Sequence, residues 1–442
     1  MRNFTLITLM FFLAIGNVFA QQEKGIIGST NWLDNWSEFK PSQQNHREPT
    51  QILSGVINRD TKLYKKDVYL LMGSVFVTDS ASLTIESGTV IIGDYASKAS
   101  LTISKGSTII ANGLETDPIV FTSNRSIKRA GDWGGIILLG DAPSNKFGNG
   151  SVSQYHSQLN SVAYGATNFG GTNPESYSGI LRYVRIEYAG KRIKGVGYFN
   201  GLLLASVGNS TVLENIMVSY SAGNSFEVRG GEVNINKAVS YKTNGIDYKF
   251  NLGAQCELSN SIAIRSPYVS SSYGSRCMHV ASYDKNKREE VDFTKNGTSV
   301  VAKNLTFITD TDDLKAEIKK GLVKEAIYVG KNASLDMNKS VLSGFNPAVL
   351  FEERLKVNQE NLEKIKFTGM YFNNCNGNIF VDNNPNNEDL ENWYGSISFF
   401  NVYSKSKNAE TFIDLKNKRT PDYRLRINSI IATNDNPDLR ND

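Results

Sequence analysis

Cationic and carboxylate side chains recur at short intervals through one stretch of the chain: Arg182, Arg185 and Glu187, then Glu227 and Arg229, then Asp247 and Lys249. Two chemistries draw on such a set. Two carboxyl groups brought together, one acting as acid and the other as base, hydrolyse a glycosidic bond. An Arg or Lys base beside a neutralised uronate carboxylate carries out elimination, and the neutralising charge is usually Ca²⁺ on several Asp or Glu oxygens. The candidate catalytic residues for either route are Arg185, Glu187, Glu227, Arg229 and Asp247. No Asp-Asp pair and no His stands in this zone, so the set falls short of a hydrolase. His279 follows Cys277, but a nucleophilic pair needs a third group to orient it. With 3 His among 442 residues, a His-rich metal centre is not expected. No cofactor is called for, and Ca²⁺ is the one ion the acidic residues would take.

These residues sit on short strands. In Arg182-Tyr183-Val184-Arg185-Ile186-Glu187-Tyr188, alternation puts Tyr183, Arg185 and Glu187 on one face and Val184, Ile186 and Tyr188 on the other. The favoured reading of the first set is a solvated strand face whose opposite charges support one another. The strands repeat. Residues 82–95 (SLTIESGTVIIGDY) resemble residues 100–113 (SLTISKGSTIIANG), each with two β-branched runs split by a Gly turn. Ile216–Tyr220 likewise matches Lys237–Tyr241. The same order returns after about 20 residues without intervening helices, as in coils stacked on one another. A sandwich would instead show two-residue hairpin turns. The expected fold is all-β: a single-stranded right-handed parallel β-helix with short helical insertions and an N-terminal cap, and with inward columns such as Ile85 above Ile103.

The expected organisation is a signal peptide at 1–20, a cap segment at 21–65, the β-helix at 66–405, and a C-terminal cap or tail at 406–442. The leader reading rests on Arg2, the apolar run Phe4–Ile15 and the small-residue end Val18-Phe19-Ala20. Residues 311–327 and 351–365 read as helical insertions. Trp32, Leu33, Trp36 and Phe39 would share one helical face of the cap. Residues 141–179, rich in Gly, Ser, Asn and Tyr, form a long loop leaving the solenoid, and such loops often carry function. Tyr155, Tyr164, Phe169 and Tyr177 in that loop have the composition of an adaptable recognition surface. Trp133 is a further binding candidate, as a sugar-stacking face; the competing reading packs it at a coil corner beside Gly134 and Gly135.

Formal net charge is +4, from 48 Lys and Arg against 44 Asp and Glu, too near balance for a nucleic-acid binder. No apolar stretch reaches the length of a transmembrane span. Cys256, Cys277 and Cys375 form an odd set that allows one disulfide at most.

The segments VYLLMGSVFVTDSASLTIESGTVIIG, LTISKGSTIIANGLETDPIVFTSN and GDWGGIILLGDAP resemble a family of exported right-handed parallel β-helix proteins of Gram-negative bacteria, with a pectate-lyase-like fold. FGGTNPESYSGILRYVRIEYAG and NGLLLASVGNSTVLENIMVSYSAGNSFEVRGG continue the resemblance, which is good from about residue 52 to 265. It implies residence in the periplasm, at the outer membrane or on the cell surface. Relatives of this kind often carry Asp-rich turns where this chain has Ser221–Glu227 and Lys242–Asp247, keeping only Glu227 and Asp247 as carboxylates. If such turns hold Ca²⁺, this chain lacks the oxygens. The expected function is therefore non-catalytic binding of a glycan or an outer-membrane protein complex. The alternatives are a polysaccharide lyase or hydrolase and a structural subunit of an outer-membrane assembly.

Overall fold

The computed structural model of the chain describes residues 24–156, 165–271, 274–284, 288, 290–384 and 386–426. Runs of mostly three to five residues, rich in β-branched and aromatic side chains and closed by Gly, Asn or Ser, form the sides of a triangular coil. Twenty-nine strands join one parallel ladder system, which wraps over three faces. Sheet A runs from Thr61–Leu63 to Ile365–Thr368. Sheet B runs from Gln51–Ile57 to Val402–Ser404. Sheet C begins at Val56 and Ile57, which pair with Phe76 and Val77, and ends at Ile379–Val381. The parallel β-helix expected from the sequence is therefore the fold of the chain.

From Tyr183 onward each coil turns sharply from A to B through one left-handed residue. Tyr183, Asn215, Lys237, Asn260, Asn304 and Lys339 occupy this corner on successive coils, at φ between 45° and 56°. Asn tolerates that conformation, whereas a non-Asn, non-Gly residue there costs about 1 kcal/mol or more. Stacking of the coils repays the strain: Phe226 lies 5.2 Å from Tyr248, and Tyr248 lies 6.0 Å from Phe307, in a continuous apolar interior.

Two features of the register differ from the sequence reading. Leu83 pairs with Ile109 rather than Leu101, and Ile85 with Ala111 rather than Ile103. The repeated text spans two sides of the triangle, so it returns one side short of a full coil. Ser219 pairs with Tyr241, not with Ser240. That one-residue slip reverses the faces: Ser240 is buried beside Asp247, while Val239 points outward into a second apolar cluster.

That second cluster explains where the N-terminal segment goes. Residues 32–36 form turns, not a helix, and the strands begin at Gln51, inside the segment expected to be a cap. Instead of closing the end, residues 24–50 run along the outer face of sheet B, against the direction of coil growth. Gly25 N–H donates to Lys339 O (2.8 Å), Ile26 N–H to Thr306 Oγ1 (2.9 Å), and Ile27 N–H to Asn260 Oδ1 (2.8 Å). Further on, Asn35 Nδ2 reaches Glu115 (2.9 Å) and Thr50 N–H reaches Val68 O (2.8 Å). Ile26, Leu33, Trp36 and Phe39 of this strap pack on Met217, Val239, Tyr241, Ile262, Ile264 and Ile308 of sheet B. The hairpin formed by Phe412–Asp414 and Asp422–Leu425 lies against the same face, with Tyr423 6.1 Å from Phe39. The last coils are covered by helix α3, Glu388–Gly395, which inserts Leu390 and Tyr394 into the core. The helical insertions are shorter than the sequence suggests: α1 is Leu314–Lys319 and α2 is Gln359–Leu362. The flanks Ile327–Val329 and Val349–Phe351 remain coil strands.

Trp36 is the anchor of the strap, fully buried with its ring 5.9 Å from Tyr183 and its Nε1 donating to Trp32 O at 2.7 Å. Trp36→Ala is expected to cost about 3–5 kcal/mol in urea unfolding and to open residues 24–48 to proteolysis. Unchanged stability and protection would show that the strap is not held by this face.

Candidate functional site

The outward positions of sheet C change character along the axis, and that change makes a site. Ile137, Leu139, Leu203 and Ala205 are apolar and cannot face water as a patch. The insertion covers them: Val152, Tyr155 and Phe169 from the long loop, with Ile193 and Phe199 from a second excursion, close over this surface. On the next coils the same positions become Glu227 and Arg229, then Lys249 and Asn251. There the cover stops. A groove of about 500 Å³ opens, floored by these residues and walled by Lys146, Asn149 and Gln154 on one side and by Val196, Tyr198 and Asn200 on the other.

Glu227 organises the floor. Its carboxylate accepts from Asn200 Nδ2 (2.6 Å), Asn224 Nδ2 (3.2 Å), Asn251 Nδ2 (3.2 Å) and Arg229 Nε (2.9 Å), and Lys249 Nζ lies 3.2 Å away. Burial alone would raise this carboxyl. The Arg229 guanidinium and the Lys249 ammonium outweigh burial and hold it well below the usual carboxylate range. Arg229 Nη2 also donates to Tyr155 Oη at 2.7 Å, tying the floor to the insertion. Tyr155 stacks on Phe199 at 5.0 Å. Beside it, His156 sits between Phe76 and Phe199 with Nδ1 3.0 Å from Ser74 Oγ, and burial lowers its imidazole to about 4.

Of the charged residues singled out in the sequence, the structure brings together Glu227, Arg229 and Lys249. It separates the others. Arg185 and Glu187 are not a solvated face: both lie on sheet B beneath the strap, 3.3 Å apart, and burial raises the Glu187 carboxyl. Alternation gave their direction correctly, but not the segment that covers them. Asp247 turns into the corner between sheets B and C, where Arg265 Nη1 meets it at 2.8 Å and Ser240 Oγ donates to it at 2.5 Å. Burial raises its carboxyl too. Trp133 is a core residue. It stacks 6.3 Å from Phe121, donates to Glu187 O at 2.7 Å, and fills the space left by Gly93, where a Cβ would lie 2.7 Å from the ring. No face of it is open to a sugar.

Within the long loop, Tyr155 and Phe169 are buried at the groove wall, whereas Tyr177 is 44% exposed and does not line the groove. Tyr164 and the leader at 1–20 lie outside the described residues. Burial pushes the Cys277 thiol up, and His279 instead stacks on Tyr328 at 4.9 Å, so these two form no nucleophilic pair. All three cysteines are free and buried. Among the described residues no group of three His, Cys, Asp or Glu side chains converges as a metal site, and no helix is long and apolar enough to cross a membrane. Asn200, Asn224 and Tyr198 were not among the sequence candidates. Stacking Phe226–Arg229 on Tyr248–Asn251 would have exposed the outward Glu-Arg and Lys-Asn steps, but the amides come from turns with no repeat of their own.

Residues 55–412 match the pectate-lyase-like β-helix domain family, and the chain belongs to that family. No curated protein matches the chain. Among solved structures it is similar to the catalytic domain of a GH87 α-1,3-glucanase in complex with tetrasaccharides, at 10% identity and a TM-score of 0.20, covering 88% of this chain and 69% of that one. At that overlap nothing is carried over from it.

Two outcomes follow from the site. His156 has a folded pKa near 4, below the ordinary 6.5, so its neutral form favours docking of the insertion above pH 6.5. That contribution is lost as pH falls from 6.5 towards 4. Hydrogen exchange at 150–156 and 196–200 should accelerate across this window, and His156→Gln should flatten the response; a flat wild-type profile would refute the assignment. Glu227→Gln leaves Arg229 and Lys249 without their shared carboxylate. It is expected to cost about 3–5 kcal/mol in urea unfolding, as for a broken buried ion pair. A loss below about 1 kcal/mol would mean the site behaves as an exposed pair.

Proposed function

We propose that the chain is an exported, non-catalytic β-helix of the cell envelope that holds a glycan in the groove over sheet C. The observation that carries this reading is the state of Glu227. A general acid works with a pKa near the ambient pH. Glu227 is held ionised, and its oxygens are already taken by Asn200, Asn224, Asn251, Arg229 and Lys249. Arg229 does not serve as a base: burial would lower its guanidinium, but Glu227 raises it above its ordinary value. The other carboxylates of the catalytic alternative, Glu187 and Asp247, are buried elsewhere. What remains is a rigid polar floor with the aromatic Tyr198 at its edge, the arrangement of a binding cleft. The N-terminal apolar run Phe4–Ile15 supports export.

A glycan array probed with the mature protein tests the reading. Wild type should be retained, and Tyr198→Ala should weaken retention at least about tenfold, or about 1.4 kcal/mol, with an unchanged thermal midpoint. New reducing ends or unsaturated uronate absorbance from the retained glycan would defeat the non-catalytic part, and absence of retention would defeat the whole.

A further inference from the structure

The charges around the groove say which sugars it would take. Its cationic lining residues are Lys146, Arg229 and Lys249, and its acidic ones are Glu227, Asp284 and Glu290. The cations are countered from within. Lys146 Nζ lies 2.5 Å from Glu290, Arg229 Nε 2.9 Å from Glu227, and Lys249 Nζ 3.2 Å from the same carboxylate. A uronate or sulfate entering this groove would lose water around a full negative charge and find each lining cation already paired. Burying a charge without a partner is strongly unfavourable. The rest of the lining is neutral and suited to hydroxyl groups: Asn149, Ser151, Ser153 and Gln154 along one wall, and the half-buried Tyr198 ring along the other. Hydroxyls exchange hydrogen bonds with amides and serines without a charge to compensate, and sugar C–H edges pack on an aromatic face.

We propose that the groove selects neutral polyhydroxylated glycans, built of hexose or pentose units, over uronate-containing or sulfated ones. This selectivity rests on the glycan-binding reading above and names the class of ligand for that site. It departs from what kinship to a pectate-lyase-like domain would suggest by itself, because the acidic polymer is excluded by the groove's own ion pairs.

The full mature chain is titrated with neutral β-glucan, α-glucan, mannan and xylan oligosaccharides, and with oligogalacturonate and alginate oligosaccharides, at low and high salt. A neutral oligosaccharide should bind at least roughly tenfold more tightly than either acidic one. Its affinity should be nearly independent of salt, because screening acts only on charge–charge attraction. Glu290→Gln, at the groove rim, removes the carboxylate facing Lys146 and should raise the affinity for the acidic oligosaccharides several-fold relative to that for the neutral one. Salt-sensitive binding of an acidic oligosaccharide as the preferred ligand of wild type would overturn the selectivity and leave the glycan-binding reading standing. Failure of every oligosaccharide to bind would overturn both.

Discussion

One constraint governs this molecule: a coil of three short strands cannot bury its own apolar side, so its interior exists only between neighbours. Parallel pairing in register, such as Phe226 on Tyr248 and Val228 on Phe250, closes that interior from coil to coil. The same register fixes which side chains point outward. Every outward position must then be solvated, covered or put to use. Sheet A takes the first course, with charged pairs such as Arg182 and Glu214 at 3.0 Å. Sheet B takes the second, and sheet C divides between a covered apolar stretch and an open polar groove.

The cover on sheet B is the more revealing. An outward row of Met217, Val239 and Ile262, with Ile264 and Ile308 in the row beside it, would be a long apolar stripe in water. The strap crosses it perpendicular to the strands, bonding to backbone and side-chain groups of successive coils from Lys339 back to Val68. Contacts of such long sequence separation form late, because the chain between them must be ordered first. The solenoid thus gains a long-range tie that an Ising-like stack of coils lacks, and that tie joins the two ends of the described chain on one face.

Much of this was legible from the sequence, and the gaps have physical causes. The strand pattern and the Gly-Asn-Ser turns gave the β-helix, because alternation and short turns leave few other architectures. The coil register did not follow: two sides of the triangle share one text, so Leu83 resembles Leu101 but pairs with Ile109. Alternation placed Arg185 and Glu187 outward correctly and their solvent exposure wrongly, since covering elements come from residues far away in sequence. Trp133 could be read either as a platform or as a corner residue, and only the gap above Gly93 decides between them. Within the site, Glu227 and Arg229 were visible as strand residues, while Asn200 and Asn224 were not, because turn amides carry no periodic signal.

The state of Glu227 also bears on the proposed binding role of the groove. Catalysis by carboxylates needs one of them to hold a proton at working pH, and burial near few cations is the usual means. Here burial is present, but it is outweighed by Arg229 and Lys249, both anchored on the strands of sheet C. Arg229 is further fixed by Tyr155, so the residue that suppresses acid chemistry is the one that docks the insertion and builds the groove wall. Restoring a proton to Glu227 would require moving Arg229, and moving Arg229 would release the wall. The same Arg229 that holds Glu227 ionised also ties down the groove wall through Tyr155, and the proposed binding cleft rests on that shared contact.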